Sequence, residues 1–183
     1  MVSREKLYTL AEFDEYIARH PNKRIELIHG RMVEKVVSEE HGKIIINIGS
    51  ELRLWLKRTP GVKGHYSTDP SLRMDDDDFN ERRPDLTFRH TDGPVSTSPT
   101  MNVMPDFAVE VKSRGNSYDD LRDKARYFIV NGSRLVWLIY PTKRIVEVYG
   151  TEGTSELFTE NDMLDGGDVL LGFRLRVRDI FDA

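Results

Sequence analysis

The sequence contains no cysteine. Disulfides and thiolate chemistry are therefore excluded, which fits a reducing, cytoplasmic setting. It also lacks any apolar run near the roughly 20 residues that cross a bilayer as a helix. The opening Met1-Val2-Ser3-Arg4-Glu5-Lys6 has no apolar stretch of the signal-peptide kind, so no membrane partner is expected. Excess positive charge is missing as well. The formal net charge is −4, which argues against bulk, non-specific nucleic-acid binding through neutralised phosphates. It leaves room for a metal-dependent enzyme, because site carboxylates and the Asp75-Asp76-Asp77-Asp78 run contribute negative charge that a bound cation offsets. No internal repeat and no linker interrupts the 183 residues, so one domain over 1–183 is expected.

What is present reads as alternating helices and strands. Thr9-Leu10-Ala11-Glu12 has the spacing of a capping box and opens a first helix, with Phe13, Tyr16 and Ile17 on one face. That helix should stop before Pro21. Arg24–Ile28 and Arg31–Val37 read as two strands about a short His29-Gly30 turn. Ser38–Thr59 is the longest helix, capped by Ser38, with Ile45, Ile48, Leu52, Trp55 and Leu56 as its expected buried stripe. Val62–Met74 suggests a strand pair or one bent strand, and Asp75–Asp78 a solvated hairpin loop. Residues 90–102 form a connection rich in Thr, Ser, Pro and Gly. A further helix is expected from Tyr118 to about Asn131, followed by an apolar central strand, Arg134–Tyr140, and a strand over Arg144–Tyr149. Glu156–Thr159 and Phe173–Val177 read as a closing strand pair.

The chemistry concentrates in Met104-Pro105-Asp106-Phe107-Ala108-Val109-Glu110-Val111-Lys112-Ser113. As a strand it puts Phe107, Val109 and Val111 on one face and Asp106, Ala108, Glu110 and Lys112 on the other. A charge on an inward strand position is unfavourable unless paired or used. Glu110 suits a divalent cation, and Lys112 suits orientation of an attacking water. One carboxylate is a poor Mg²⁺ site, and Asp85, in Arg83-Pro84-Asp85-Leu86-Thr87-Phe88, is the natural partner at the start of another strand. Asp106 lies about 13 Å along the strand from Glu110 and reads as a turn residue. A plain structural ion pair between Glu110 and Lys112 is the bland alternative. Glu26 shares its strand face with the aliphatic Ile28, and by spacing alone it reads as an exposed edge residue. His41 in a first helical turn, and Lys124 and Tyr127 one turn apart on a later helix, each allow a structural or a site role.

The ordered set of Pro84-Asp85, Glu110-Val111-Lys112 and Lys124-x-x-Tyr127, with Glu26 and His41 upstream and Trp137-Leu138-Ile139-Tyr140-Pro141 downstream, resembles the PD-(D/E)XK nuclease superfamily. More closely it resembles the bacterial Uma-type restriction endonuclease family. The resemblance implies an α/β, restriction-endonuclease-like fold: a mixed central β-sheet flanked by α-helices. It implies a Mg²⁺-dependent endonuclease, with Mn²⁺ as a substitute, that hydrolyses DNA phosphodiesters. Asp85 and Glu110 would hold the metal with the Val111 carbonyl as an extra ligand, Lys112 would act on water, and Glu26 would be an outer acidic member. His41, Lys124 and Tyr127 would contact substrate or support the site. A homodimer is the family-level expectation. Relatives that carry the lysine on the following helix leave Lys112 and Lys124 as alternatives. The competing function is a catalytically inactive nuclease-fold module that binds nucleic acid or a protein.

Overall fold

The computed structural model describes residues 6–182. In chain order the elements are α1 (Leu10–Arg19), β1 (Ile25–Ile28), β2 (Arg31–Glu34), α2 (Glu39–Arg58), β3 (Gly64–Ser67), β4 (Ser71–Leu72), β5 (Leu86–His90), β6 (Thr100–Met101), β7 (Phe107–Val111), α3 (Tyr118–Val130), β8 (Leu135–Tyr140), a tight helical turn (Pro141–Lys143), β9 (Ile145–Gly150), β10 (Ser155–Phe158), β11 (Met163–Asp165), β12 (Arg174–Arg176) and α4 (Val177–Phe181). A six-stranded sheet in the order β10-β9-β8-β7-β5-β3 forms the centre. Only β7 and β8 in it run parallel, joined through α3; the other neighbours are antiparallel. This is the mixed sheet flanked by helices that the sequence implied.

Helices cover both faces of the sheet. Ile44, Ile48, Leu52 and Trp55 of α2 pack with Phe107, Val109 and Val111 of β7 and with Val177, Ile180 and Phe181 of α4. On the other face, Leu121, Ala125 and Phe128 of α3 pack with Ala108, Val136 and Leu138. All five residues of β7 are consequently buried. Burial on both faces is why β8 reads as an unbroken apolar run, Leu135-Val136-Trp137-Leu138-Ile139-Tyr140. It also means that Glu110 cannot be solvated.

The expected stripe of α2 needs a shift. Ile44 takes the fully buried place, and Ile45 and Leu56 are only partly buried. The steps 44, 48, 52 and 55 keep to one line of the helix, whereas Ile45 sits about 100° round from Ile44.

The turn between β1 and β2 has positive φ at both His29 (49°) and Gly30 (76°), the backbone of a two-residue hairpin that matches strand twist. The predicted caps form: Thr9 and Glu12 make a reciprocal box, and Ser38 accepts the His41 N–H. Asp75–Asp78 is not simply solvated. Asp77 accepts from the Asn80 amide, the Phe79 N–H and the Tyr127 hydroxyl. Residues 90–102 are partly tied down where β6 pairs with β4.

The closing strand pair is corrected. β10 adds to β9, extending the main sheet, and β12 pairs with β11 instead. The short turn over 151–154 makes β10 a local hairpin partner of β9, which closes with less loss of chain entropy than a pairing across fifteen residues or more.

Candidate active site

Asp85 sits just ahead of β5, and the sheet itself pins it. Its N–H bonds the Val109 carbonyl at 3.1 Å, and its Oδ2 accepts the Val111 N–H at 2.7 Å. The carboxylate is thus fixed against the C-terminal end of β7. Its other oxygen, Oδ1, receives Lys35 Nζ at 2.6 Å and lies 3.1 Å from His41 Nε2. Lys35 follows β2, and its ammonium also reaches the Arg83 carbonyl at 2.8 Å. His41 stands in the first turn of α2, where the Ser38 cap sets the helix entry.

Glu110 leaves β7 on the α3 side. Lys124 of α3 meets it there, 3.3 Å from Oε2, and bonds Glu26 Oε1 of β1 at 2.7 Å. Glu26, Glu110 and Lys124 are each no more than 3% exposed. Three buried carboxylates, Glu26, Asp85 and Glu110, therefore meet two ammonium groups, Lys35 and Lys124. Burial of such charges is tolerable only because each has an opposite partner within hydrogen-bond reach.

The carboxylates differ in state. Burial works to raise Asp85, but the His41 hydrogen bond and the Lys35 charge outweigh it and hold the group at about 2. Glu110 goes the other way. Burial pushes it up to about 8, with Asp85 and Glu26 adding to the push and Lys124 and Lys35 opposing it. Lys124 loses to burial but gains more from Glu110 and Glu26, so its pKa rises and it stays charged. Lys35 is raised for the same reason by Glu110, Asp85 and Glu26. Of the three carboxyl groups Glu110 is the one that burial and its two acidic neighbours dispose to hold a proton.

The residues singled out in the sequence divide into three groups. Asp85, Glu110, Glu26, His41 and Lys124 come together. Val111 joins them through its N–H to Asp85. Lys112 and Tyr127 stand apart. Lys112 donates to the Ser113 carbonyl and lies 5.1 Å from the Tyr118 ring centroid. Tyr127 bonds Asp77 and stacks under the Arg82 guanidinium. Asp106 accepts the His90 N–H at 2.7 Å, a turn role as expected. Sequence reasoning missed Lys35. The signal lay in the hairpin register: Glu26 pairs with Val33, so Lys35, two residues on, projects to the face of Glu26.

The donor chemistry suits a hard divalent cation. Glu26 Oε2 is a buried carboxylate oxygen with no hydrogen-bond partner, and Asp85 and Glu110 supply the one or two carboxylates that Mg²⁺ takes alongside water and phosphate oxygens. Among the described residues no three acidic or His side chains form a ready cage; ammonium groups stand between the carboxylates. The space bounded by Glu26, Lys35, His41, Glu110 and Lys124 is about 10 Å³, room for about one water.

Among the described residues no helix is long and apolar enough to cross a membrane. No curated protein matches the chain. One similar solved structure is described as a putative nuclease belonging to DUF820 from Anabaena variabilis; it aligns with a TM-score of 0.78 at 20% identity, covering 94% of this chain and 97% of that one. At that identity the likeness establishes the fold alone. The sequence itself settles the family: the model described as "Putative restriction endonuclease", Uma2, matches residues 10–178, so the chain belongs to the Uma2 family.

Proposed function

We propose that the chain is a metal-dependent endonuclease that hydrolyses DNA phosphodiester bonds. The observation that carries this reading is the convergence of buried Asp85, Glu110 and Glu26 with Lys35 and Lys124 at the C-terminal end of β7. Open α/β sheets bind ligands outside the carboxyl ends of their strands. Asp85 and Glu110 would hold the cation, with the Val111 carbonyl and Glu26 in support. A bound Mg²⁺, or Mn²⁺ in its place, would supply Lewis-acid stabilisation of the phosphoryl oxygens. Lys35 and Lys124 are held charged, so neither serves as a general base. They supply fixed positive charge beside the place where negative charge grows on the phosphorane oxygens. His41 holds and orients Asp85. Lys124, rather than Lys112, fits the lysine of the motif, because its ammonium reaches Glu110.

A nuclease-fold binding module is the second reading, favoured by the ammonium groups that already neutralise the carboxylates. One assay separates the two. Nicking of supercoiled plasmid in Mg²⁺ or Mn²⁺, stopped by chelator and lost in Glu110→Ala and Asp85→Ala, is the expected result. Cleavage that survives both substitutions would sink the proposed site. Plasmid binding without cleavage, in a folded protein with metal present, would favour the module. The proposed assembly is a two-fold dimer, which light scattering on the purified protein checks.

A further inference from the structure

The buried cluster has no room for a substrate. Its space of about 10 Å³ means that the scissile phosphate must come from an adjoining opening. Such an opening lies beside Ser113, which borders both spaces. It is a cleft of about 430 Å³ between the start of α2 and the C-terminal ends of β7 and β8, within the range of about 300–1,000 Å³ that small ligands occupy.

Tyr118, the first residue of α3, lines this cleft and is 36% exposed. Its ring centroid lies 5.1 Å from Lys112 Nζ, 4.4 Å from Lys143 Nζ and 5.2 Å from the Tyr140 ring. An exposed aromatic ring with ammonium groups beside it is the combination that holds unpaired nucleotides: the base stacks on the ring and the cations take the phosphates. Both ammonium groups rest on the ring here. A stacking base displaces one of them, which is then free to meet a phosphate. Arg114 borders the same cleft. Glu39 and Glu40 stand on the α2 side, so a polyanionic strand is steered to the lysine side.

Resting on the nuclease reading, we propose that this cleft is a subsite for an unpaired nucleotide, whose base stacks on Tyr118 and whose phosphate lies between Lys112 and Lys143, in the opening that Ser113 shares with the buried cluster. A paired base has both faces covered by its neighbours and cannot use the ring. The substrate class is therefore single-stranded, flapped or frayed nucleic acid rather than intact duplex. Lys112 thereby acquires a task that its distance from the carboxylates otherwise denies it.

The test is fluorescence anisotropy with a labelled oligothymidylate of about twelve nucleotides and a hairpin duplex of the same length, in chelator so that no cleavage occurs. The single strand is expected to bind more tightly than the duplex. Tyr118→Ala should weaken that binding by about 5- to 100-fold, the range for loss of one stacked base. Tyr118→Trp should retain it, with an indole emission that the bound strand quenches. Trp55 and Trp137 are buried and give a steady background. Equal binding by Tyr118→Ala, tighter binding of duplex, or no strand binding by the folded wild type overturns the subsite and leaves the cleavage assay standing. Tyr118-dependent binding in a protein that cuts nothing with Mn²⁺ supports the subsite while refuting the nuclease.

Discussion

Removing the Lys124 ammonium, as in Lys124→Met, is the sharpest single perturbation the site allows. The substitution keeps most of the side chain's volume, so the loss is electrostatic. Breaking a buried pair by deleting one partner costs about 3–5 kcal/mol, because the other charge stays buried. Lys124 serves two carboxylates, Glu26 at 2.7 Å and Glu110 at 3.3 Å, so the upper end applies when both are ionised. The penalty must depend on pH. Glu110 already sits at about 8 against an ordinary value of 4.5, and Lys124 is the charge that most opposes that rise. Without it, the folded-state pKa climbs further. A carboxyl raised on folding contributes stability below its unfolded pKa and loses it as pH rises through the folded value. The cost of the substitution should therefore be small near pH 4.5, about the 1 kcal/mol of a lost hydrogen bond. It should stay near that level while Glu110 keeps its proton in both proteins, and grow once pH rises past about 8, where the wild type ionises and the variant does not. Urea unfolding followed by circular dichroism, in chelator and at matched ionic strength, measures it directly. A cost that is equal at pH 5 and pH 9, or below about 1 kcal/mol at pH 9, would refute the cluster's charge assignment. Adding Glu26→Gln to Lys124→Met should recover part of the loss, since it removes one of the two stranded charges.

Two further predictions concern charges outside that cluster. Glu147 is buried and accepts from Tyr140, Tyr149, Ser155 and Arg122; burial would raise its pKa, but these donors lower it. Its contribution is therefore present above the ordinary value of 4.5 and is lost as pH falls through the lower folded value. Glu147→Gln should lower stability by about 1.5–3 kcal/mol at pH 7 and converge on the wild type in strongly acid melts; a constant difference across pH refutes it. Lys112→Ala should leave the melting temperature nearly unchanged and raise KM for single-stranded cleavage without lowering kcat, whereas Lys124→Met, assayed where it remains folded, should lose kcat. A kcat collapse in Lys112→Ala would return the motif lysine to Lys112.

The contrast between those two lysines shows where the sequence was legible. Strand alternation correctly put Phe107, Val109 and Val111 on one face and Glu110 on the other, because both faces of β7 are packed and a one-residue slip would bury the wrong set. The same alternation overreached at Lys112. β7 ends at Val111 and the chain turns toward the Ser117 cap. Lys112 does leave on the α3 side, but it lies about 7 Å farther along than Glu110, beside the helix start rather than under it. Two turns into α3, Lys124 points back at the strand. Its position inside the apolar stripe of Leu121, Ala125 and Phe128 was the visible sign, since a lysine there is either misplaced or paired. Lys35 carried no such sign, since it follows β2, whose residues are largely exposed. It becomes visible only when the His29-Gly30 turn is given its two-residue geometry and the register across to Glu26 is counted. Local pattern thus identified Asp85 and Glu110, which sit on or beside buried strands, whereas spacing alone made the buried Glu26 an exposed edge residue and only the resemblance gave it a place in the site. The cations that balance them arrive from elements distant in sequence, and only the packing of α3 and of the β1–β2 hairpin against the sheet brings them in. The carboxylates cannot be buried without those cations. The cluster and the fold around it are therefore one cooperative unit, and a variant that loses either ammonium should lose the order of the strand ends as well as its charge balance.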